Sequence, residues 1–194
     1  MTFSRGEVLL VCTANVCRSP MAEAMLAVRL AALGAEVMVH SAGTLRDGEP
    51  PLPEVIIAME GYGLDVTPHR SHKVTPADLE RADLTVAMAR EHLRYAVVMA
   101  PSVWPRAFTL RELVRRGTAI GSRGPAESLP GWLARAHEGR ERSALLGDSP
   151  EDDVADPIGG PQHGYSQTAQ ILHQLIDRLV RLGWPVDSVP RYGG

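Results

Sequence analysis

Cys12 and Arg18 stand at the two ends of the run Cys12-Thr13-Ala14-Asn15-Val16-Cys17-Arg18. The largely apolar stretch Glu7-Val8-Leu9-Leu10-Val11 leads into it, and Ser19-Pro20 and a helical pattern follow at once. A strand that ends in a tight loop and re-enters the fold as a helix aims its backbone amides at the loop centre. Such a nest, together with the positive end of the helix dipole, binds a tetrahedral oxyanion. The same field favours thiolate over thiol at Cys12. A guanidinium at Arg18 can hold two oxygens of the anion in a fork. The chemistry that fits is attack of the Cys12 sulfur on phosphorus, a covalent thiophosphate, and its release by water. The loop amides of Thr13, Ala14, Asn15, Val16 and Cys17, with Arg18, would stabilise the charge that develops on the equatorial oxygens. The Ser19 hydroxyl is positioned to donate to the sulfur and improve it as a leaving group.

Plainer readings compete. Cys12 could be a buried strand-end cysteine, and Ser19 a helix N-cap before a first-turn proline. The complete string, strand then C-x5-R-S-P then helix, is far more specific than C-x5-R alone. The loop lacks the Gly-Lys-Ser/Thr ending of a nucleoside triphosphate cradle. Cys12 and Cys17 have a conceivable zinc spacing, but the chain has no further cysteines and no histidine pair at ligand spacing beside a second anchor. No metal and no cofactor is expected.

Elements that would position this loop are legible along the chain. Residues 7–12 read as a buried strand with no polar alternation, as parallel strands do. Residues 20–33 carry Met21, Met25, Val28 and Leu33 at helical spacing, with Gly34 as a stop. Further strands are expected at 36–40, 84–88 and 106–110. Helices are expected at 53–60, from Thr75-Pro76 onward, and at 90–99, 111–116, 132–142 and 164–182. Strands separated by helices argue for a parallel sheet covered on both faces, with the first strand-to-helix turn at the carboxyl edge where ligands bind. Met21, Met25, Met88 and Met99 read as core, Trp104 and Trp184 as packing at loop edges, and Arg111, Arg115 and Arg116 as a solvated face. Residues 186–194 read as a loose tail.

The motif string resembles the low-molecular-weight protein tyrosine phosphatases and the arsenate reductases that share their fold. The family pattern C-x-G-N-x-C-R-S-P-x-A-E appears here as Cys12 to Glu23, with Ala14 in place of the glycine. Ser41-Ala42-Gly43-Thr44, the stretch from Gly63 to His69, and Asp156-Pro157 continue the likeness in the family's order. The resemblance implies a single three-layer α/β domain over 1–194, built on a mostly parallel four-stranded sheet. It implies Cys12 as nucleophile, Arg18 as phosphate clamp and Asp156 as the acid that protonates the leaving oxygen. Asn15, Ser19 and Ser41, with His69, would hold the shape of the loop. The acidic surroundings of Asp156 make Asp152 and Asp153 reserve candidates for the acid.

Three departures carry expectations of their own. Alanine at position 14 is strained if that position needs a positive φ. Ile158-Gly159-Gly160 stands where many members carry tyrosines that stack on the substrate ring, which bears on phosphotyrosine preference. Residues 104–153 exceed what the compact family core needs, which points to an insertion, and 121–142 could cover the site.

With 194 residues, 44% hydrophobic, the chain can bury a real core. A net charge of −3 and only 5% aromatic residues do not suit a nucleic-acid binder. Two cysteines make no secreted disulfide framework, and neither a leader nor a membrane-spanning run is visible. The expectation is a cytoplasmic enzyme acting on a phosphorylated protein or a small phosphomonoester, with no nucleic-acid or membrane partner and its oligomeric state open. Cys17 could either pack in the core or resolve an oxidised Cys12 as a disulfide. Arsenate reduction with an external thiol, or oxyanion binding without catalysis, are the competing functions.

Overall fold

In the computed structural model, which describes residues 6–185, four parallel strands form one sheet in the order β2-β1-β3-β4. The strands are β1 (Gly6–Cys12), β2 (Val37–Gly43), β3 (Leu84–Ala87) and β4 (Ala107–Thr109). Alternate β1 side chains enter two separate cores. Val8, Leu10 and Cys12 face one cluster, and Leu9 and Val11 the other, all at 2% exposure or less. A strand buried on both faces needs apolar residues at every position, which is why its sequence shows no alternation.

Helices α1 (Arg18–Ala32), α2 (Pro53–Glu60), α5 (Leu110–Ile120), α6 (Leu129–His137) and α7 (Gln162–Gly183) contribute to the first core. Helices α3 (Pro76–Arg81) and α4 (Arg90–Met99) contribute to the second. The three-layer arrangement expected from the sequence is therefore present. The chain leaves β1 toward β2 on one side, and returns to β3 on the other. Ligands bind beside such a reversal of strand order, at the carboxyl ends of the strands, and Cys12 is the last residue of β1.

Several boundaries differ from expectation for identifiable reasons. Strand β2 runs on to Gly43, because Ser41, Ala42 and Gly43 pair with Leu10, Val11 and Cys12. Helix α5 continues to Ile120 and stops before Gly121 at φ 83°. The expected helix at 132–142 begins instead at Leu129, where the Ser128 hydroxyl accepts from the Gly131 amide, and ends at His137 before Gly139 at φ 70°. Trp132 is fully buried there, with its indole N–H donating to the Gly121 carbonyl. Both Trp104 and Trp184 are buried as well.

The arginines of α5 are not simply solvated. Arg115 pairs with Asp152 at 2.6 Å, and Arg116 pairs with Glu112 and donates to the carbonyls of Ala136 and Glu138. Of the stretch 104–153, the part up to Thr109 holds β4, the sheet's edge strand, and α5 follows at once. The tail expected at 186–194 lies outside the described residues.

Candidate active site

The loop between β1 and α1 is fixed by one residue above the rest. Asn15 has φ 55°, the only positive φ at a non-glycine among the described residues. Asparagine tolerates this left-handed conformation better than most residues. Ala14 does not need it, so the missing family glycine leaves no strain there.

Asn15 is fully buried, and its polar atoms are all used. Its side-chain nitrogen donates to Ser19 Oγ at 2.8 Å and to Ser41 Oγ at 2.7 Å. Its side-chain oxygen accepts from the His72 amide at 2.8 Å, and its carbonyl from His69 Nε2 at 2.8 Å. Ser41 passes its own proton to Glu23 at 2.5 Å. A buried network satisfied in this way specifies one geometry.

Two groups meet the Cys12 sulfur. The Asn15 amide lies 3.3 Å away and Ser19 Oγ 3.0 Å away. Ser19 Oγ already accepts from Asn15, which leaves its proton for the sulfur. Sheet packing supports the loop from behind. A methyl group on Gly43 would come within 2.8 Å of the Thr13 carbonyl oxygen and 2.9 Å of both Ala14 C and Asn15 Cβ. The Thr44 amide donates to the Thr13 carbonyl at 2.8 Å. Gly43 thus lets the loop lie directly on β2.

Arg18 opens α1 and is 4% exposed. Nη1 donates to the Val154 carbonyl at 3.1 Å, and Nη2 donates to Thr13 Oγ1 at 3.0 Å and to Asp156 Oδ2 at 2.5 Å. The last contact joins residues 138 apart in sequence and puts the Asp156 carboxylate at the mouth of the loop.

The segment that delivers Asp156 is pinned elsewhere. Asp152 is buried between Arg90 at 2.8 Å and Arg115 at 2.6 Å. Burial alone would raise its pKa, but the hydrogen bonds from Arg115 and Arg90 outweigh burial and hold it below the usual carboxylate range. Asp153 accepts from the Arg90 amide at 2.8 Å, and the Val154 amide donates to the Met88 carbonyl at 2.8 Å. Asp152 and Asp153 are therefore anchors rather than reserve acids.

The remaining sequence candidates fall as follows. Cys17 is 1% exposed in the first core. Burial first, then the charge of Asp156, pushes its thiol well above the ordinary range, so it is a poor nucleophile and a packed side chain. His72 is half-exposed but bonds Asp78 at 2.8 Å through Nε2 as well as serving Asn15 through its amide. His92 carried no signal in the sequence. It lies 79 residues from Thr13 yet places Nε2 2.8 Å from the Thr13 hydroxyl. No group of three or more His, Cys, Asp or Glu suited to a metal occurs among the described residues.

Beside the loop lies a cleft of about 300 Å³ walled by Ala14, Val16, Pro50, Pro51, Leu52 and Ile158, with Arg46 and Glu49 at its edge. A sulfur, a buried guanidinium and a carboxylate at the mouth of one loop, with an apolar cleft adjoining, can bind an oxyanion and exchange a group on it.

The profile of the low molecular weight phosphotyrosine protein phosphatase family matches residues 7–120. The chain is 42% identical over 102 residues to a low molecular weight protein-tyrosine-phosphatase of Streptomyces coelicolor, spanning 50% of this chain and 60% of that protein. It is 28% identical over 176 residues to the protein-arginine-phosphatase of Bacillus subtilis, spanning 90% of this chain and 95% of that protein. The crystal structure of a low molecular weight protein tyrosine phosphatase from T. tengcongensis superposes with a TM-score of 0.69 at 33% identity, over 91% of this chain and 98% of that one. The chain belongs to the low molecular weight phosphotyrosine protein phosphatase family.

Proposed function

We propose that this protein hydrolyses phosphate monoesters, and protein phosphotyrosine in particular, through a cysteinyl-phosphate intermediate. Cys12 attacks phosphorus as the thiolate, and the bond from phosphorus to the ester oxygen breaks. Asp156 gives its proton to that oxygen as it leaves. Water then attacks the thiophosphate and regenerates Cys12, with Asp156 taking a proton from the water. Arg18 and the loop amides hold the equatorial oxygens through both steps. Ser19 donates to the sulfur, and Asn15, Ser41 and His69 keep the loop in shape.

The observation that carries this reading is the contact between Arg18 and Asp156 at 2.5 Å, which brings the proposed acid to the loop that holds Cys12. The apolar wall of Val16, Pro51, Leu52 and Ile158 supports an aryl ester, because a flat ring can bury itself there without leaving polar groups unpaired. Ile158 occupies the place where a stacking tyrosine was missed in the sequence.

A second reading has its own support. The curated relative named above that spans nearly the whole chain is a protein-arginine-phosphatase, whereas the tyrosine-phosphatase match spans half. Parallel assays on phosphotyrosyl and phosphoarginyl peptides separate the two. The expected result is faster turnover of the phosphotyrosyl peptide, and the reverse order would assign the arginine substrate. In either assay Cys12→Ser should lose at least ~10⁴-fold in turnover. A variant that kept its rate would remove the nucleophile from the scheme. Arsenate-dependent consumption of an added thiol, without ester hydrolysis, would assign the reductase alternative instead.

No helix among the described residues is long and apolar enough to cross a membrane. The substrate is proposed to be a phosphorylated protein met in the cytoplasm, and the whole chain is proposed to act as one domain.

A further inference from the structure

His92 is 1% exposed and belongs to no part of the scheme above. It lies in the first turn of α4. Its Nδ1 is buried with no hydrogen-bond partner. Its Nε2 lies 2.8 Å from Thr13 Oγ1 and 3.2 Å from Glu91 Oε1. Thr13 Oγ1 accepts from Arg18 Nη2 at 3.0 Å and shares a hydrogen bond with His92 Nε2 on its other side. The hydroxyl rotor, free in isolation, is locked against the guanidinium.

The lock matters because Arg18 has few holds. Its guanidinium is fixed by Val154 through Nη1, and by Thr13 and Asp156 through Nη2. If Asp156 turns to the leaving oxygen, as the proposed function requires, Nη2 keeps only Thr13. We propose that His92 is a positioning residue for oxyanion binding: through the Thr13 hydroxyl it fixes the Arg18 guanidinium in the orientation that receives the anion. This rests on the phosphatase reading only for its purpose, since the geometry applies to any oxyanion in the loop. Burial, and then the charge of Arg18, lowers the His92 pKa from its ordinary value to about 3. The ring is therefore neutral at working pH and places no second cation against the guanidinium.

Binding of inorganic phosphate, measured by calorimetry, tests this independently of turnover. His92→Ala should weaken phosphate about 10-fold, the worth of one well-placed hydrogen bond near a charge. His92→Gln, whose amide can donate to Thr13, should recover most of the loss. Thr13→Val should lose about as much as His92→Ala, and the double variant no more than either alone, because both remove one connection. Thermal unfolding of each variant reports folding separately, and the Thr13→Val loss carries the test if His92→Ala does not fold. Phosphate affinity within 2-fold of the parent in His92→Ala, no recovery in His92→Gln, or losses that simply add would each overturn the proposal. Should the parent bind phosphate but hydrolyse no ester, the proposed function fails while the His92 result still stands or falls by itself.

Discussion

The loop at residues 12–19 and the segment around 152–156 supply the groups that meet at the site, and different forces hold them. The loop is organised by its own neighbours. Asn15 in a left-handed turn bonds Ser19 four residues on, and β2 lies directly behind. The acid segment has no regular structure at Asp156 and is tied by long-range charge, Asp152 to Arg90 and Arg115, and Asp153 to the first amide of α4. A largely neutral, buried network that ends on the single carboxylate of Glu23 is less sensitive to salt and acid. A segment hung on ion pairs answers to both. The proposed nucleophile is thus in the stiff half of the site and the proposed acid in the responsive half.

Substitutions can break this contrast or sharpen it. The largest expected effect is at Asp156. Asp156→Ala should slow hydrolysis of esters with poor leaving groups by ~10²–10⁴, the usual contribution of general acid catalysis, and affect good leaving groups far less. A leaving-group series measures this, and an equal loss for all esters would move the acid role elsewhere. On the stiff side, Gly43→Ala presses a methyl group into the backbone of residues 13–15. It should cost ~1–3 kcal/mol of folding stability and weaken phosphate binding together, read by denaturant unfolding and calorimetry on one sample.

Asp152→Asn should behave differently from both. It loosens the acid segment without touching the Asn15 network, so turnover of poor leaving groups should fall ~10-fold to 10²-fold while phosphate affinity changes far less, although Val154 of the same segment also holds Arg18. Loss of phosphate affinity in that variant would show the two halves to be mechanically joined.

The last contrast is in pH. The folded pKa of Asp152 is depressed, so its contribution to stability is complete above the unfolded value near ~4 and is lost as pH falls through the lower folded value. His92 acts over a higher window. The unfolded ring protonates near ~6.5 but the folded ring resists until about 3. Folding stability should therefore drop by about 1 kcal/mol per pH unit as pH falls across that window. His92→Gln should flatten this slope between pH 6 and 4 in thermal unfolding, and an unchanged slope would assign the acid sensitivity to other groups.

What could be read from the sequence follows the same division. Cys12 to Ser19 is contiguous, so residue types and spacing alone implied its geometry. β1, α2 and α4 were legible because burial on both faces, a first-turn proline and helical spacing are local signals. Ser41 and Gly43 were legible as a motif, yet their membership of β2 was not, because a serine and a glycine weaken a strand pattern and only pairing with Leu10 and Cys12 draws them in. Asp152 read as an acid because its partners, Arg90 and Arg115, come from two other helices. The arginines of α5 read as solvated for the complementary reason. His92 sits in an unremarkable helical sequence, and its relation to Thr13 exists only after β1 and β3 pair. Distant charge pairing leaves no local imprint on a chain, whereas a turn does.

The contact between Asp156 and Arg18 also sets what an incoming anion must overcome. An incoming anion meets a guanidinium already occupied by a carboxylate tethered to the same chain, a rival whose effective concentration is set by the fold and not by dilution. On the proposed function, free phosphate at low concentration should therefore bind weakly, and a substrate that brings a ring to the adjoining cleft should have the extra grip to evict the rival. Eviction also frees Asp156 from the ion pair, and it is proposed to serve the leaving oxygen once it has taken up a proton. A neutral asparagine at position 156 should accordingly hold phosphate more tightly than the parent while turning substrate over more slowly.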